Sequence, residues 1–244
     1  GLDDNAHGSK PEPQDQLLEE FTQDLTRQAK EGELDPVLGR ESELRQLIDI
    51  LCRRRKSNPA ILGEAGVGKS ALVEGLAQRI TAGAVPETLR DYRVLALDLG
   101  LLQAGAGMRG ELERRLQGVI SAASRPGARI ILFIDEAHTL IGHGGDAGTA
   151  DTANLLKPAL ARGQLKAIAA TTWSEYRKHI DKDPALARRF QPVMLHAPDV
   201  AQATALLRGL APRYAASHDL HVTDEAVVAA VELAARYLPD RQLP

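Results

Sequence analysis

The 244-residue chain sets 30 Lys and Arg against 33 Asp and Glu, for a net charge of −3, and is 43% hydrophobic but only 3% aromatic. At ~150 residues per domain this is one large domain, or one domain with part of another, and its core has to come from Leu, Ile, Val and Ala. The charge balance argues against a globally basic nucleic-acid binder. The single cysteine, Cys52, excludes an internal disulfide framework or a multi-cysteine zinc site. No apolar run reaches the ~20 residues of a membrane span, and the polar, acidic start Gly1-Leu2-Asp3-Asp4-Asn5 is not a signal peptide. The expected compartment is the cytoplasm, with no nucleic-acid or membrane partner. A first residue that is Gly and a last, Pro244, just past a helical pattern suggest a segment of a longer protein.

Residues 1–16 are rich in Gly, Pro, Asp and Gln and read as a flexible linker or tail. Leu17, Leu18, Phe21 and Leu25 then repeat at helical spacing, which predicts one helix fading near Gly32. Leu44, Leu47, Ile48 and Leu51 predict a second helix over 41–56, closing on Arg53-Arg54-Arg55-Lys56. That run reads first as a solvated helix end placed favourably against the dipole. The sharper alternative is a subunit contact or a nucleotide-proximal surface. From here strands and helices alternate. Strands are expected at 59–62, 94–99, 130–135, 166–172 and 193–196, and helices at 69–82, 110–124 and 151–162. The run Ile130-Ile131-Leu132-Phe133-Ile134 is apolar without alternation, as in a strand buried on both faces. The alternation predicts an α/β fold with a five-stranded parallel sheet between helices. After Pro198-Asp199 only helical stripes remain: Ala203, Leu206, Leu207 and Leu210, then Val227, Val231, Ala234 and Leu238. A boundary there gives a large α/β part, 17–198, and a helical part, 199–244.

Gly63-Glu64-Ala65-Gly66-Val67-Gly68-Lys69-Ser70 fits G-x-x-x-x-G-K-[ST] between an expected strand and an expected helix. Its glycines let backbone N–H groups converge on phosphate oxygens at a helix N-terminus. Lys69 is expected to reach the β- and γ-phosphates, and Ser70 to supply a hydroxyl ligand for Mg²⁺. The strand ending in Asp135-Glu136 is the Walker B pattern: Asp135 for Mg²⁺, and Glu136 to orient and deprotonate an attacking water. No Asn-Lys-x-Asp guanine-reading motif is present, so ATP/ADP is expected over GTP. Asp135-Glu136-Ala137-His138 is also the literal DEAH string of a helicase superfamily. Such helicases use two successive nucleotide folds, whereas one is visible here, and His138 reads more simply as a helix-start histidine in a hydrogen bond. The remaining histidines show no zinc-ligand spacing.

From about Leu17 to Pro244 the chain resembles the AAA+ ATPases, and more narrowly the first nucleotide domain of the Clp/Hsp100 unfoldases. Beyond the two Walker motifs, the resemblance is carried by Leu34-Asp35-Pro36-Val37-Leu38-Gly39-Arg40, by Leu155 to Gly163, and by Asp240-Arg241-Gln242-Leu243-Pro244. It implies an AAA+ P-loop fold followed by the start of a helical lid, and a homohexameric protein-remodelling motor acting on protein substrates. Val37 and Leu38 would join Gly63, Glu64, Ala65, Gly66, Val67, Gly68, Lys69, Ser70 and Ala71 as nucleotide contacts. Thr172 matches the sensor-1 position. Arg188 and Arg189 match arginine fingers that act on a neighbouring subunit's nucleotide. Gly107, Met108 and Arg109 match the first pore loop, with Met108 where disaggregases usually carry an aromatic, and Gly142 to Gly148 resembles the second. Leu97 to Gly107, Asp135 to Gly142 and Ala169 to Tyr176 resemble the type VI secretion branch, whose members dismantle contracted sheaths. The general disaggregase branch typically reads Asp-Glu-Leu-His and Thr-Thr-Leu-Asp at the last two places.

Overall fold

The computed structural model describes residues 13–105, 110–141 and 149–238. In chain order the elements are α1 (Pro13–Phe21), β1 (Thr22–Asp24), α2 (Leu25–Glu31), α3 (Glu41–Cys52), β2 (Asn58–Leu62), α4 (Lys69–Thr81), β3 (Arg93–Leu97), α5 (Leu99–Gln103) and α6 (Glu111–Ala123). They continue with β4 (Ile130–Ile134), α7 (His138–Ile141), α8 (Thr149–Ala161), β5 (Lys166–Thr171), α9 (Trp173–His179), α10 (Pro184–Ala187), β6 (Phe190–Met194), α11 (Val200–His218) and α12 (Asp224–Tyr237).

The six strands form one sheet in the order β1-β3-β4-β5-β2-β6. Every pairing is parallel except β1 with β3, which is antiparallel, with Thr22 opposite Leu97 and Asp24 opposite Leu95. All five residues of β2 and of β4 are buried, as strands covered on both faces must be. Alternate side chains serve different layers. Leu132 and Ile134 pack with α1, α6 and α8; Ile131 and Phe133 pack with α2, α3 and α4.

Several expectations need correction. Helix α1 already begins at Pro13, inside the stretch 1–16 expected as a linker, of which residues 1–12 lie outside the described residues. The sheet has six strands rather than five, and the helix expected from Leu17 to near Gly32 is broken by β1. Leu18 and Phe21 belong to one core layer and Leu25 to the other. The chain therefore rounds the sheet edge between them, and three extended residues make that passage and pair with β3 on the way. Helix α3 also stops at Cys52, not residue 56. Arg53 is already extended (φ −72°, ψ 154°) and Lys56 is left-handed (φ 47°), so the basic run forms a loop leading into β2. The last strand begins three residues earlier than expected. It contains Pro192, which an edge strand such as β6 tolerates.

At its start, β2 is fixed by Asn58, which is 2% exposed. Its Oδ1 accepts from the Ala167 amide at 3.0 Å, and its own amide donates to the Arg189 carbonyl at 3.3 Å. Asn58→Ala leaves a buried amide without an acceptor and is expected to destabilise the fold by about 1–3 kcal/mol. Urea titration checks this: the midpoint falls at constant slope, and an unmoved midpoint would remove Asn58 from this role.

Candidate active site

The loop after β2 is held from beneath before it holds anything. The Leu195 amide donates to the Leu62 carbonyl at 2.7 Å, and the Gly63 amide donates to the Thr171 carbonyl at 3.2 Å. A Cβ on Gly63 would lie 2.6 Å from the Leu195 carbonyl oxygen and 2.7 Å from Val67 Cγ1, so only glycine fits there. Gly68 (φ 95°) begins α4 with no side-chain cap, which leaves the first amides of that helix for an anion. Lys69 Nζ donates to the carbonyls of Gly63 and Glu64, both at 2.8 Å. Two of its three protons are thus committed to shaping the loop, and one remains for a phosphate oxygen. Arg40, which the sequence reading did not single out, braces the loop from outside. It donates to the carbonyls of Val67 (3.1 Å) and His196 (2.9 Å) and pairs with Glu43 at 3.2 Å.

The carboxyl ends of β4 and β5 complete the arrangement. Ser70 Oγ donates to Asp135 Oδ2 at 2.9 Å, and the Glu136 amide donates to Asp135 Oδ1 at 2.9 Å. Glu136 is exposed and left-handed at φ 46°, a conformation costing a non-glycine residue of order 1–3 kcal/mol and typical of functional turns. The Ala137 amide donates to Ala170 O at 3.0 Å, tying this turn to β5. His138 Nδ1 pairs with Thr171 Oγ1 at 3.0 Å, the helix-start hydrogen bond expected of it. Thr172 caps α9, its hydroxyl accepting from the Glu175 amide at 3.3 Å.

Ala65, Gly66, Gly68, Lys69, Ser70, Ala71, Asp135, Glu136 and Thr172 all line one cleft of about 690 Å³. Gly63 and Val67 are buried as the support of the loop, and Glu64 is exposed at its tip. The donor set fits Mg²⁺ and a nucleotide triphosphate: a hydroxyl and a carboxylate oxygen already within hydrogen-bond distance, hard ligands both, beside a lysine and free helix amides.

Other sequence-selected residues lie elsewhere. Val37 packs on the P-loop helix, 3.1 Å from where a Cβ on Gly75 would sit, and Leu38 occupies the space a side chain on Gly209 of α11 would need. Leu38 lines a second cleft of about 510 Å³, with Arg40, Pro198, Gln202 and Leu206, at the seam between the α/β part and α11. Arg188 and Arg189 precede β6 at the other end of the sheet. The phosphate loop follows Leu62, four residues along β2 from Asn58, a separation of roughly 13 Å at ~3.3 Å per residue. Arg188 is exposed and, among the described residues, makes no hydrogen bond or ion pair; Arg189 donates to the Ala161 carbonyl. Gly107, Met108 and Arg109, with Gly142 to Gly148, lie outside the described residues.

The site's geometry defines a P-loop nucleotide-binding fold, and the AAA ATPase domain family matches residues 36–169 while the AAA lid domain family matches residues 199–244. The chain belongs to the AAA ATPases, and within them to the Clp/Hsp100 type. It is 58% identical over 229 residues to the AAA+ ATPase ClpV1 of Pseudomonas aeruginosa, covering 94% of this chain and 25% of that protein. It is 56% identical over 229 residues to the chaperone protein ClpB of Vibrio vulnificus, covering 94% and 27%. Among solved structures, the S. cerevisiae Hsp104–ADP complex has a TM-score of 0.85 at 49% identity, over 93% of this chain and 39% of that one. Hsp104 with ATPγS and FITC casein gives 0.82 at 49%, over 93% and 40%. The chain thus spans about a quarter of the length of these curated relatives.

Glu74 also lines the phosphate cleft. Burial, and after it the Asp35 carboxylate, push its carboxyl above the ordinary 4.5. A raised carboxyl pKa makes the ionised form a cost in the folded state. That cost is absent below the unfolded pKa and grows as pH rises through the window up to the folded value. Glu74→Gln is therefore expected to raise Tm at pH 7, and the gain should vanish by about pH 4. Thermal unfolding at both pH values decides it; an equal gain at both would assign the effect to packing.

Proposed function

We propose that this chain is the ATP-hydrolysing engine of a protein-remodelling motor, a large α/β part (17–198) and the beginning of a lid (199–244), working in the cytoplasm as a homohexamer of the full-length protein. The observation that carries the catalytic part is the strained Glu136, set beside the Ser70–Asp135 pair in the cleft that Lys69 lines. Glu136 takes a proton from the attacking water, and Thr172 orients that water. Lys69 and the first amides of α4 hold the phosphates, and Ser70 and Asp135 would hold Mg²⁺. The metal, when bound, offsets negative charge on the phosphate oxygens. Val37 and Leu38, in the segment that links the P-loop helix to α11, would contact the adenine.

Arg188 and Arg189 act on the nucleotide of a neighbouring subunit. Their position at the opposite end of β2 from the chain's own phosphate loop supports this, because an arginine side chain does not span that distance. A guanidinium brought to a phosphoryl transition state is worth ~10³–10⁵ in rate in related NTPases.

For the substrate we propose the type VI secretion sheath. Two points of identity separate the ClpV1 and ClpB relatives, so the reading rests on the strings Asp135-Glu136-Ala137-His138 and Thr171-Thr172-Trp173-Ser174. Gly107, Met108 and Arg109 would grip the polypeptide; Met is apolar and adaptable enough to meet varied chains. The second reading, a general disaggregase, is favoured by the ClpB relatives and by the Hsp104 structures that contain casein.

Glu136→Gln in the full-length protein, with any second ATPase site disabled likewise, is expected to bind ATP while turnover falls ~10²–10⁴-fold; wild-type turnover would remove Glu136 from its role. Loaded with ATP in its native cell, the same variant should co-purify with one dominant pair of sheath proteins. A broad set of misfolded proteins would replace the sheath reading with the disaggregase one. Specific ATPase activity should also rise with protein concentration in the dissociating range, and a flat profile would contradict catalysis across a subunit boundary.

A further inference from the structure

The loop before β2 and the turn before β6 meet at the amino end of the sheet. These strands pair in parallel from Asn58 opposite Phe190, and the Asn58 amide donates to the Arg189 carbonyl. A cleft of about 710 Å³ opens there, and Arg53, Arg55, Lys56, Arg188 and Arg189 line it without one carboxylate among its lining residues. Arg53 is paired with Asp49 at 2.6 Å, and Arg189 gives one of its donors to the Ala161 carbonyl. Arg55, Lys56 and Arg188 are exposed and, among the described residues, make no hydrogen bond or ion pair. Lys56 is held left-handed at φ 47°, a backbone state that a β-carbon disfavours. Three cations that share one cleft with no anionic partner among the described residues repel one another, and an anion between them would relieve that repulsion.

That anion is not the chain's own nucleotide, which belongs at the far, carboxyl end of the same strand. The complementary surface is nonetheless on this molecule. The phosphate cleft is lined by Glu74, Asp98, Asp135 and Glu136 besides its phosphate-holding groups. Two unlike, complementary surfaces at opposite ends of one sheet make a head-to-tail contact between identical copies, not a two-fold one.

We propose that Arg55 and Lys56, supported by Arg53, are further trans-acting cations that contact the triphosphate held by the adjoining copy, alongside Arg188. The inference rests on the inter-subunit arginine reading above and extends it to the loop before β2. Arg55 offers a planar fork suited to two phosphate oxygens, and Lys56 a point charge. No bond is made or broken by either; both neutralise charge that spreads over the γ-phosphoryl oxygens as it transfers.

The test uses the full-length protein with any second ATPase site inactivated. Arg55→Gln is combined with Lys56→Gly, because glycine adopts φ 47° freely and the backbone is left undisturbed. The double variant is expected to lose about tenfold or more in kcat, with KM for ATP little changed and the assembled size in sedimentation unaltered. Mixing it with Glu136→Gln subunits should restore turnover, since the variant's intact site then receives cations from a neighbour whose own site is inactive. Unchanged kcat, dissociation of the assembly, or loss without recovery on mixing would each overturn the proposal. Arg188→Ala, carried through the same mixing, separates the two levels. If it loses and regains activity while the double variant loses none, only the added cations are wrong. If Arg188→Ala itself costs nothing, the inter-subunit site falls and this inference with it.

Discussion

Three neighbouring parallel strands hold the site together. β4, β5 and β2 lie side by side, and their carboxyl ends leave the sheet along one edge. Leu62 is opposite Thr171, and Ile134 is opposite Ala169, so the residues that follow each strand emerge within hydrogen-bond reach of one another. Gly63 then donates to Thr171, Ala137 donates to Ala170, and Ser70 meets Asp135. Side chains alternate faces along a strand, so a one-residue slip of β4 would exchange Ile131 and Phe133 for Leu132 and Ile134 across the sheet. Burial of both faces opposes that slip, and with it fixes where Asp135 and Glu136 stand.

The two ends of the same sheet carry different chemistry. At the carboxyl end, glycines at positive φ, uncapped helix amides and a strained Glu136 face a cleft lined with carboxylates and one lysine. At the amino end, cations gather around Lys56, itself at positive φ. Non-glycine residues persist in that conformation only where their surroundings over-determine it, and two of the chain's four described instances sit at these two ends. On the proposed reading each copy supplies the floor of one site and the roof of the next, so hydrolysis reports on contact between copies.

The segment from Leu34 to Arg40 joins the nucleotide fold to the helices after it. Leu38 lies against Gly209 and Gly39 against Leu206, while Arg213 pairs with Asp35 at 3.1 Å. From the other side, Val37 packs on Gly75 of the P-loop helix and Arg40 holds the Val67 carbonyl. One short stretch therefore touches the phosphate loop, its helix and α11 together. Packed side chains and hydrogen bonds thus run without a break from the phosphate loop to α11. The exposed ion pair adds little to stability by itself; the interlocked leucine and glycines are the firmer part of the joint.

Much of this was legible from residue order, because some physical constraints are local. The G-x-x-x-x-G-K-S spacing specifies a loop, and an apolar strand ending in Asp-Glu specifies where a carboxylate pair leaves a buried sheet. The resemblance added the lid and the family, which the matches to the AAA ATPase and AAA lid domains bear out. What escaped was set by partners distant in the chain. Thr22–Asp24 has no strand pattern of its own and becomes β1 only because Leu18 and Leu25 must reach opposite faces. Arg40 showed only as part of a family string, since its carbonyl partners lie 27 and 156 residues away. Arg53 to Lys56 read first as a helix end, with a subunit contact or nucleotide-proximal surface as the alternative, for nothing in their spacing reveals that parallel pairing of β2 and β6 sets them against Arg188. By itself, then, the sequence determined the five parallel strands, the main helices between them and the phosphate-loop motif, because loop, helix and strand signals act over a few residues. Only the tertiary structure decided which side chains share a cleft, because strand order and register bring together residues the chain keeps far apart.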